Sequence, residues 1–358
     1  MQTYNAKMIK LGRELRGCSQ AGLSKESGIS QGYLSKLENG MAELSEEAAK
    51  SISNVLKLPL SFFSQHERVY GLPVSVHPMH RKKASVGKKE LEKLHAELNF
   101  RIMHLKHLLN SVDLSPEFEI PKLDPDLYDC DIEKIAETVR RHWLIPAGPI
   151  EDLVSVAENA GCIVTIMSFK GANIDGVTLN IPGLAPCIFL NEDSPADRMR
   201  FTLAHELGHL IMHSLPTPNM EEEANAFASA FLMPRNDIKA LLSRVSIERL
   251  AYMKPIWKVS MASLLMRAKS LGKLTPNQSQ YLWRMFSSRG YRTREPAELD
   301  FPKEQSTLLD SILEIHLKEL GYKAADVAQL FHVYPDELSE LYPSQFIPNN
   351  HSHIRLVK

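Results

Sequence analysis

Between Leu11 and Gly40 the apolar positions are sparse and set among caps and glycines. Ser19 can cap a short helix, Gln20–Ser27, by accepting a bond from an orphan amide. Gly28 supplies a left-handed turn. Ser30 caps a second helix, Gln31–Glu38, which Asn39-Gly40 ends. Leu23, Ile29, Leu34 and Leu37 hold the two helices at an angle. Further on, Leu91, Leu94, Leu98, Ile102, Leu105 and Leu108 step by three and four, one stripe of a long helix. The runs Ile163–Met167, Asp175–Leu179 and Cys187–Asn191 are short and β-rich. Helical periodicity returns at Leu203, Ala204, Leu207, Leu210 and Ile211, and again at Ala224, Ala228 and Leu232 before Pro234 stops it. Trp257–Gly272 and Ala325–Leu341 are two further turn-helix patterns, read as core packing rather than DNA contact. This mixture predicts an α+β chain, mainly helical, in four segments: 1–66, 67–130, 131–272 and 273–358.

Composition narrows the classes. With 44% apolar and 24% charged residues, the chain is an ordinary globular one, neither disordered nor collagen-like. The net charge of −1 gives no global pull towards nucleic acid or membrane, so charge is read by segment. Cys18, Cys130, Cys162 and Cys187 form no CxxC pair and are expected to be reduced thiols. No apolar run reaches the ~18 residues of a membrane span. The start of the sequence lacks the apolar core of a signal peptide, so a cytoplasmic location is expected.

The first segment has helix-turn-helix spacing. Its second helix is expected to expose Gln31, Tyr33, Ser35 and Lys36, with Gln20 at the head of the first helix as a further contact. Gln can bond two groups on an adenine edge, while Ser and Lys reach bases or phosphates. Lys7, Lys10, Arg13 and Arg16 are expected to add phosphate contacts. The run LGRELRGCSQAGLSKESGISQGYLSKLENG resembles the Cro/repressor (XRE-type) helix-turn-helix family, which implies binding of double-stranded operator DNA. Gly22 inside a helix and Cys18, where Leu or Met is usual, depart from that pattern.

In the connector, Arg81, Lys82, Lys83, Lys88, Lys89, Lys93, Arg101 and Lys106 outnumber the acids. Its narrow apolar stripe fits a helix–helix seam, in a dimer or against the body of the chain. A homodimer is expected, because such readers usually bind two half-sites.

His205-Glu206-Leu207-Gly208-His209 is an HExxH motif. On a helix the two histidines share a face and can hold one zinc ion. Glu206 stands beside them, placed to take a proton from a water that the metal acidifies. A third ligand is expected downstream. His213 lies about 6 Å further along the axis than His209, an awkward reach. Glu221 extends the buried face of the next helix and is favoured over Glu223; Glu222 and Glu223 are expected to be solvated. Asn225, four residues after Glu221, is expected to bond the free nitrogen of a ligand histidine. An extended substrate could lie along either of the last two strands. Arg284, Arg289, Arg292 and Arg294 form a basic surface stretch.

FTLAHELGHLIMH followed by EEEANAFASAFLMP resembles the ImmA/IrrE family of metallopeptidase-like domains, as do RHWLIPAGPIEDLVSVAENAGCIV and WKVSMASLLMRAKSLG. The resemblance implies a zincin-like domain with a small sheet and an HExxH helix. It implies zinc, or another divalent ion, on His205, His209 and Glu221, with Glu206 catalytic. It also implies cleavage of a partner repressor, or of the chain itself, to change transcription. The alternative is a DNA-binding repressor or antitoxin-like protein whose peptidase-like domain senses metal or ligand without cutting.

Overall fold

The computed structural model describes residues 4–71 and 87–346. His77, His80, Arg81, Lys82 and Lys83 of the basic connector lie outside the described residues. The first helices are α1 (Ala6–Leu15), α2 (Gln20–Ser27), α3 (Gln31–Glu38), α4 (Glu46–Leu56) and α5 (Leu60–Phe63). The Ser19 side chain accepts from the Gly22 amide at 3.0 Å and the Ser30 side chain from the Tyr33 amide at 3.3 Å. Gly28 has φ 71°, as the tight turn requires. The departures at Gly22 and Cys18 are neighbours in space: a Cβ on Gly22 would sit 3.3 Å from Cys18 Sγ.

Helix α6 (Lys88–Leu109) follows, then α7 (Ile132–His142) and α8 (Leu153–Asn159). The expected seam on α6 is filled by this chain. Leu94, Leu98, Ile102, Leu105 and Leu108 are buried, and so are Phe100, Met103 and His104 on other sides of the helix. It packs on α1 and on the C-terminal helices, so the buried part of the stripe belongs to the body of the chain. The His104 ring stacks on Phe331 with centroids 4.2 Å apart, and its Nδ1 lies 2.9 Å from the Tyr342 hydroxyl. Complete burial holds that imidazole well below the usual histidine range.

A three-stranded sheet comes next, in the order β1-β3-β2. β1 (Ile163–Met167) pairs parallel with β3 (Cys187–Asn191), Ile163 opposite Cys187. β2 (Gly176–Leu179) pairs antiparallel with β3, Gly176 opposite Leu190. β3 is therefore paired on both sides and cannot receive an extended substrate. Of the two strands considered for that role, only β2 is an edge.

The remaining helices are α9 (Ala196–Met212), α10 (Met220–Leu232), α11 (Arg235–Ile238), α12 (Ile247–Trp257), α13 (Met261–Ser270), α14 (Pro276–Ser288), α15 (Leu308–Glu314), α16 (Ala324–Phe331), α17 (Pro335–Leu341) and α18 (Pro343–Phe346). Side chains alternate across a strand, and here the alternation builds two cores. Ile163, Val177, Cys187 and Phe189 face a core shared with α1–α6 and α15–α17. Val164, Ile188 and Leu190 face a second, with α7–α10 and α12–α14. The C-terminal segment thus divides: Leu282 and Phe286 join the second core, while Leu313, Val327 and Phe331 return to the first.

The turn between α2 and α3 recurs twice. Lys258 and His332, like Gly28, take positive φ, at 50° and 55°. In each case the cap stands two residues later, at Ser30, Ser260 and Tyr334.

Candidate metal centre and DNA-reading helix

Helix α9 carries the HExxH residues on a buried stretch. Gly208 lets α10 approach: a Cβ there would stand 3.1 Å from the Phe227 ring and 3.4 Å from Ala224 Cα. Ala224 and Ala228 are fully buried along the same contact. Three donors converge as a result. His205 Nε2 and His209 Nε2 are 3.0 Å apart, and Glu221 reaches them at 3.4 and 3.5 Å.

Each ring has its other nitrogen engaged. His205 Nδ1 lies 3.1 Å from Asn225 Oδ1, which can only accept. His209 Nδ1 lies 3.0 Å from His213 Nδ1, and His213 Nε2 lies 2.9 Å from Glu223 Oε2. The carboxylate accepts from His213 Nε2–H, so His213 Nδ1 accepts from His209 Nδ1–H. Both Nε2 atoms are then left with lone pairs aimed at one point. Burial, reinforced by His205, pushes His209 well below its ordinary range and keeps it neutral. Two lone pairs facing each other at 3.0 Å call for a cation between them. Ligands at about 2.0–2.1 Å from a tetrahedral zinc stand roughly 3.3 Å from one another, close to the observed separations. Glu206 is 3% exposed, and its Oε2 has no hydrogen-bond partner among the described residues. Burial pushes its carboxyl up, with His205 opposing.

Residues 157–269 match the model of the IrrE N-terminal-like domain, a peptidase class, and residues 9–63 match that of a helix-turn-helix. The chain fuses these two domains. It is a DNA-binding regulator with a peptidase-like domain. No curated protein matches it. Among the described residues no helix is long and apolar enough to cross a membrane.

In the IrrE-like domain, the carboxylate expected to be solvated, Glu223, instead bonds His213 and through it steadies His209. His213 closes α9 but turns its ring to this relay rather than to the last carbonyls. The sequence signal was present in outline: a third histidine one turn after HExxH, on the face of the other two.

In the helix-turn-helix domain, Gln31 and Lys36 are exposed on α3. Ser35 is half-buried. The Tyr33 hydroxyl donates to the Glu43 carbonyl at 2.7 Å. Gln20 donates to Glu38 at 3.3 Å. Arg13 and Arg16 are engaged within the fold. Arg13 makes a two-point pair with Glu38 at 2.6 and 2.9 Å. Arg16 donates to the carbonyls of Leu56 and Lys57 and pairs with Glu337 at 2.5 Å. Lys7 and Lys10 stay exposed. Glu38 was the unread signal: an acid in the last turn opposes the helix dipole and needs a cation nearby.

The two other turns differ from this one in capping and charge. The amides that open α13 are capped by the Glu295 carboxylate at 3.0 Å. Helix α17 exposes Asp336 and Glu340, which repel phosphate.

Proposed function

We propose that this regulator is a zinc-dependent endopeptidase that cuts a partner repressor protein, so that transcription changes at an operator read by α3. His205, His209 and Glu221 would hold the metal. When bound, it supplies a Lewis acid that polarises the scissile carbonyl and acidifies water. Glu206 takes the proton from the attacking water and hands it to the leaving amine. Asn225 fixes the His205 ring, and the Glu223–His213 pair fixes His209. The edge strand β2 runs beside this site, since Gly176 packs on Thr202, one turn before Glu206. An extended segment of the partner would add to that edge.

The observation that carries the reading is the buried Glu206 carboxylate with an unpartnered oxygen beside three convergent ligands. The test compares zinc-loaded wild type with Glu206→Gln in lysate of the host, reading new protein N-termini by mass spectrometry. The wild type should create a cut in one DNA-binding protein, or in itself. The variant should create none, with zinc content and DNA affinity unchanged. Wild-type chain that makes no new N-terminus, or a variant that regulates normally, would favour the non-proteolytic sensor.

A further inference from the structure

A cavity of 680 Å³ opens at the N-terminal end of α9. That size falls within the ~300–1,000 Å³ of typical ligand pockets. Its walls include Phe201 of α9, Asp175 just before β2, Trp283 of α14 and Arg292 beyond that helix. Two of these walls continue into the metal centre. Phe201, His205 and His209 follow one another at four-residue steps, so they share a face of α9. Phe201 lies about 6 Å along the axis from His205. Strand β2 runs alongside: Asp175 pairs with Arg198 at 3.3 Å, and Gly176 packs on Thr202. A chain laid along β2 past Glu206 therefore leads into the cavity.

The charges of the lining are nearly all committed. Asp175 pairs with Arg198. Asp197 and Glu295 hold Lys254 at 2.8 and 2.9 Å, and the surplus negative charge of this group is met by the Met261 and Ala262 amides, which donate to Glu295 at 3.0 Å. Asp300 pairs with Arg294. Arg292 makes no ion pair among the described residues. Its guanidinium instead lies 4.8 Å from the centre of the Trp283 ring, which orients it without neutralising it. The cavity thus presents an oriented cation and aromatic walls at Phe201 and Trp283.

Resting on the peptidase reading, we infer that this cavity is a substrate subsite, with Arg292 binding an acidic side chain of the partner. An extended chain advances about 3.3 Å per residue, so the 6 Å to Phe201 and the breadth of the cavity place that acid about two to four residues from the cut bond. Arg292 is a specificity residue here, and the basic stretch after α14 gains a role.

The test separates this inference from the reading beneath it. Fluorescein-labelled decapeptides of Ala and Thr carry one Glu, or one Lys, at successive positions. Their binding to the full-length Glu206→Gln chain is followed by anisotropy. With Glu at the right position, affinity should exceed that of the Lys peptide by about tenfold. Adding Arg292→Glu should reverse the preference, and adding Arg292→Ala should abolish it. Glu and Lys peptides that bind alike at every position, or a preference untouched by Arg292→Glu, overturn the subsite whether or not any bond is ever cut. In parallel, the same peptides are offered to the zinc-loaded wild type. Acid-selective binding in the first assay, with no hydrolysis by wild type here or in lysate, keeps the pocket and sinks the peptidase.

Discussion

The α9–α10 pair and the α2–α3 pair place their chemistry on opposite faces. In α9 the working side chains point inwards, so the protein must supply a partner for each polar atom. Asn225 and the His213–Glu223 relay do this, leaving donors for one ion. In α3 Gln31 and Lys36 point outwards into solvent, and the fold supplies no partner that would bury them. What the fold supplies there is posture, through Arg13–Glu38 and the caps at Ser19 and Ser30. Buried chemistry fails when any member is removed, because the others lose their purpose together. Exposed chemistry fails in increments, one contact at a time.

Four substitutions or conditions sharpen that contrast. The largest effect is expected where posture itself is buried. Glu38→Ala removes the two-point partner of Arg13 and leaves it the Cys18 carbonyl and Glu14, a loss of about 2–3 kcal/mol for a partly buried charged pair. Denaturant melts should show that loss, together with loss of DNA binding. Inductively coupled plasma analysis of the folded fraction should show metal content unchanged. If Glu38→Ala is as stable as wild type, the pair is not what holds α3 in place.

Next in size is the relay. Glu223→Gln keeps the shape but weakens the pull on His213, and loss of such an outer partner lowers metal affinity by about 10–100-fold. Competition with a zinc chelator would read this, and DNA affinity should not move. Equal zinc affinity in the two chains would make Glu223 a bystander.

Acid should act on the side of the molecule that carries the helix-turn-helix. His104 is neutral in the folded chain, with its pKa held down by burial, whereas the unfolded chain takes up a proton below about pH 6.5. Its contribution to stability is therefore complete above about pH 6.5 and falls as the pH drops below that value. Burial moves the neighbouring His107 and His332 the same way. Urea midpoints at pH 7.5 and 5.5 should differ, and His104→Phe should narrow the difference. An unchanged gap in that variant would assign the acid sensitivity elsewhere.

The smallest effect is expected at the reading surface. Lys36→Ala should weaken binding to all DNA sequences alike and reduce the slope of log affinity against log salt by about 1. A change confined to one base pair of the site would instead make Lys36 a reader of sequence.

The same contrast governs what could be read from the chain beforehand. Helices α2 and α3 were legible to the residue because Ser19, Gly28 and Ser30 act within a few positions of themselves. β1 and β3 were legible as apolar runs, and β2 begins one residue later than its run suggests. His205 and His209 announce a shared face by spacing alone, and α10 brings Glu221 and Asn225 to them. What stayed hidden depends on pairs far apart in sequence. Arg16 meets Glu337 through a fold that brings the C-terminal helices back to the first. The stripe on α6 fitted a dimer or the body of the chain equally well, because the elements that cover it, α1 and α16, lie far away in the chain. Glu223 looked like one more surface acid in a run of three because its bond to His213 depends on how α10 lies on α9.

The sheet has a consequence for anyone who would take the molecule apart. It is a party wall, with Phe189 facing one room and Ile188 the other. A fragment cut to the matched boundaries of the IrrE-like domain would open the side bearing Ile163, Val177 and Phe189 to water and would tend to clump through it. The helix-turn-helix, parted from α6 and α15–α17, would lose the far side of its own core. Neither domain is a detachable cartridge, and the α9–α10 site and the helix-turn-helix share a single plank.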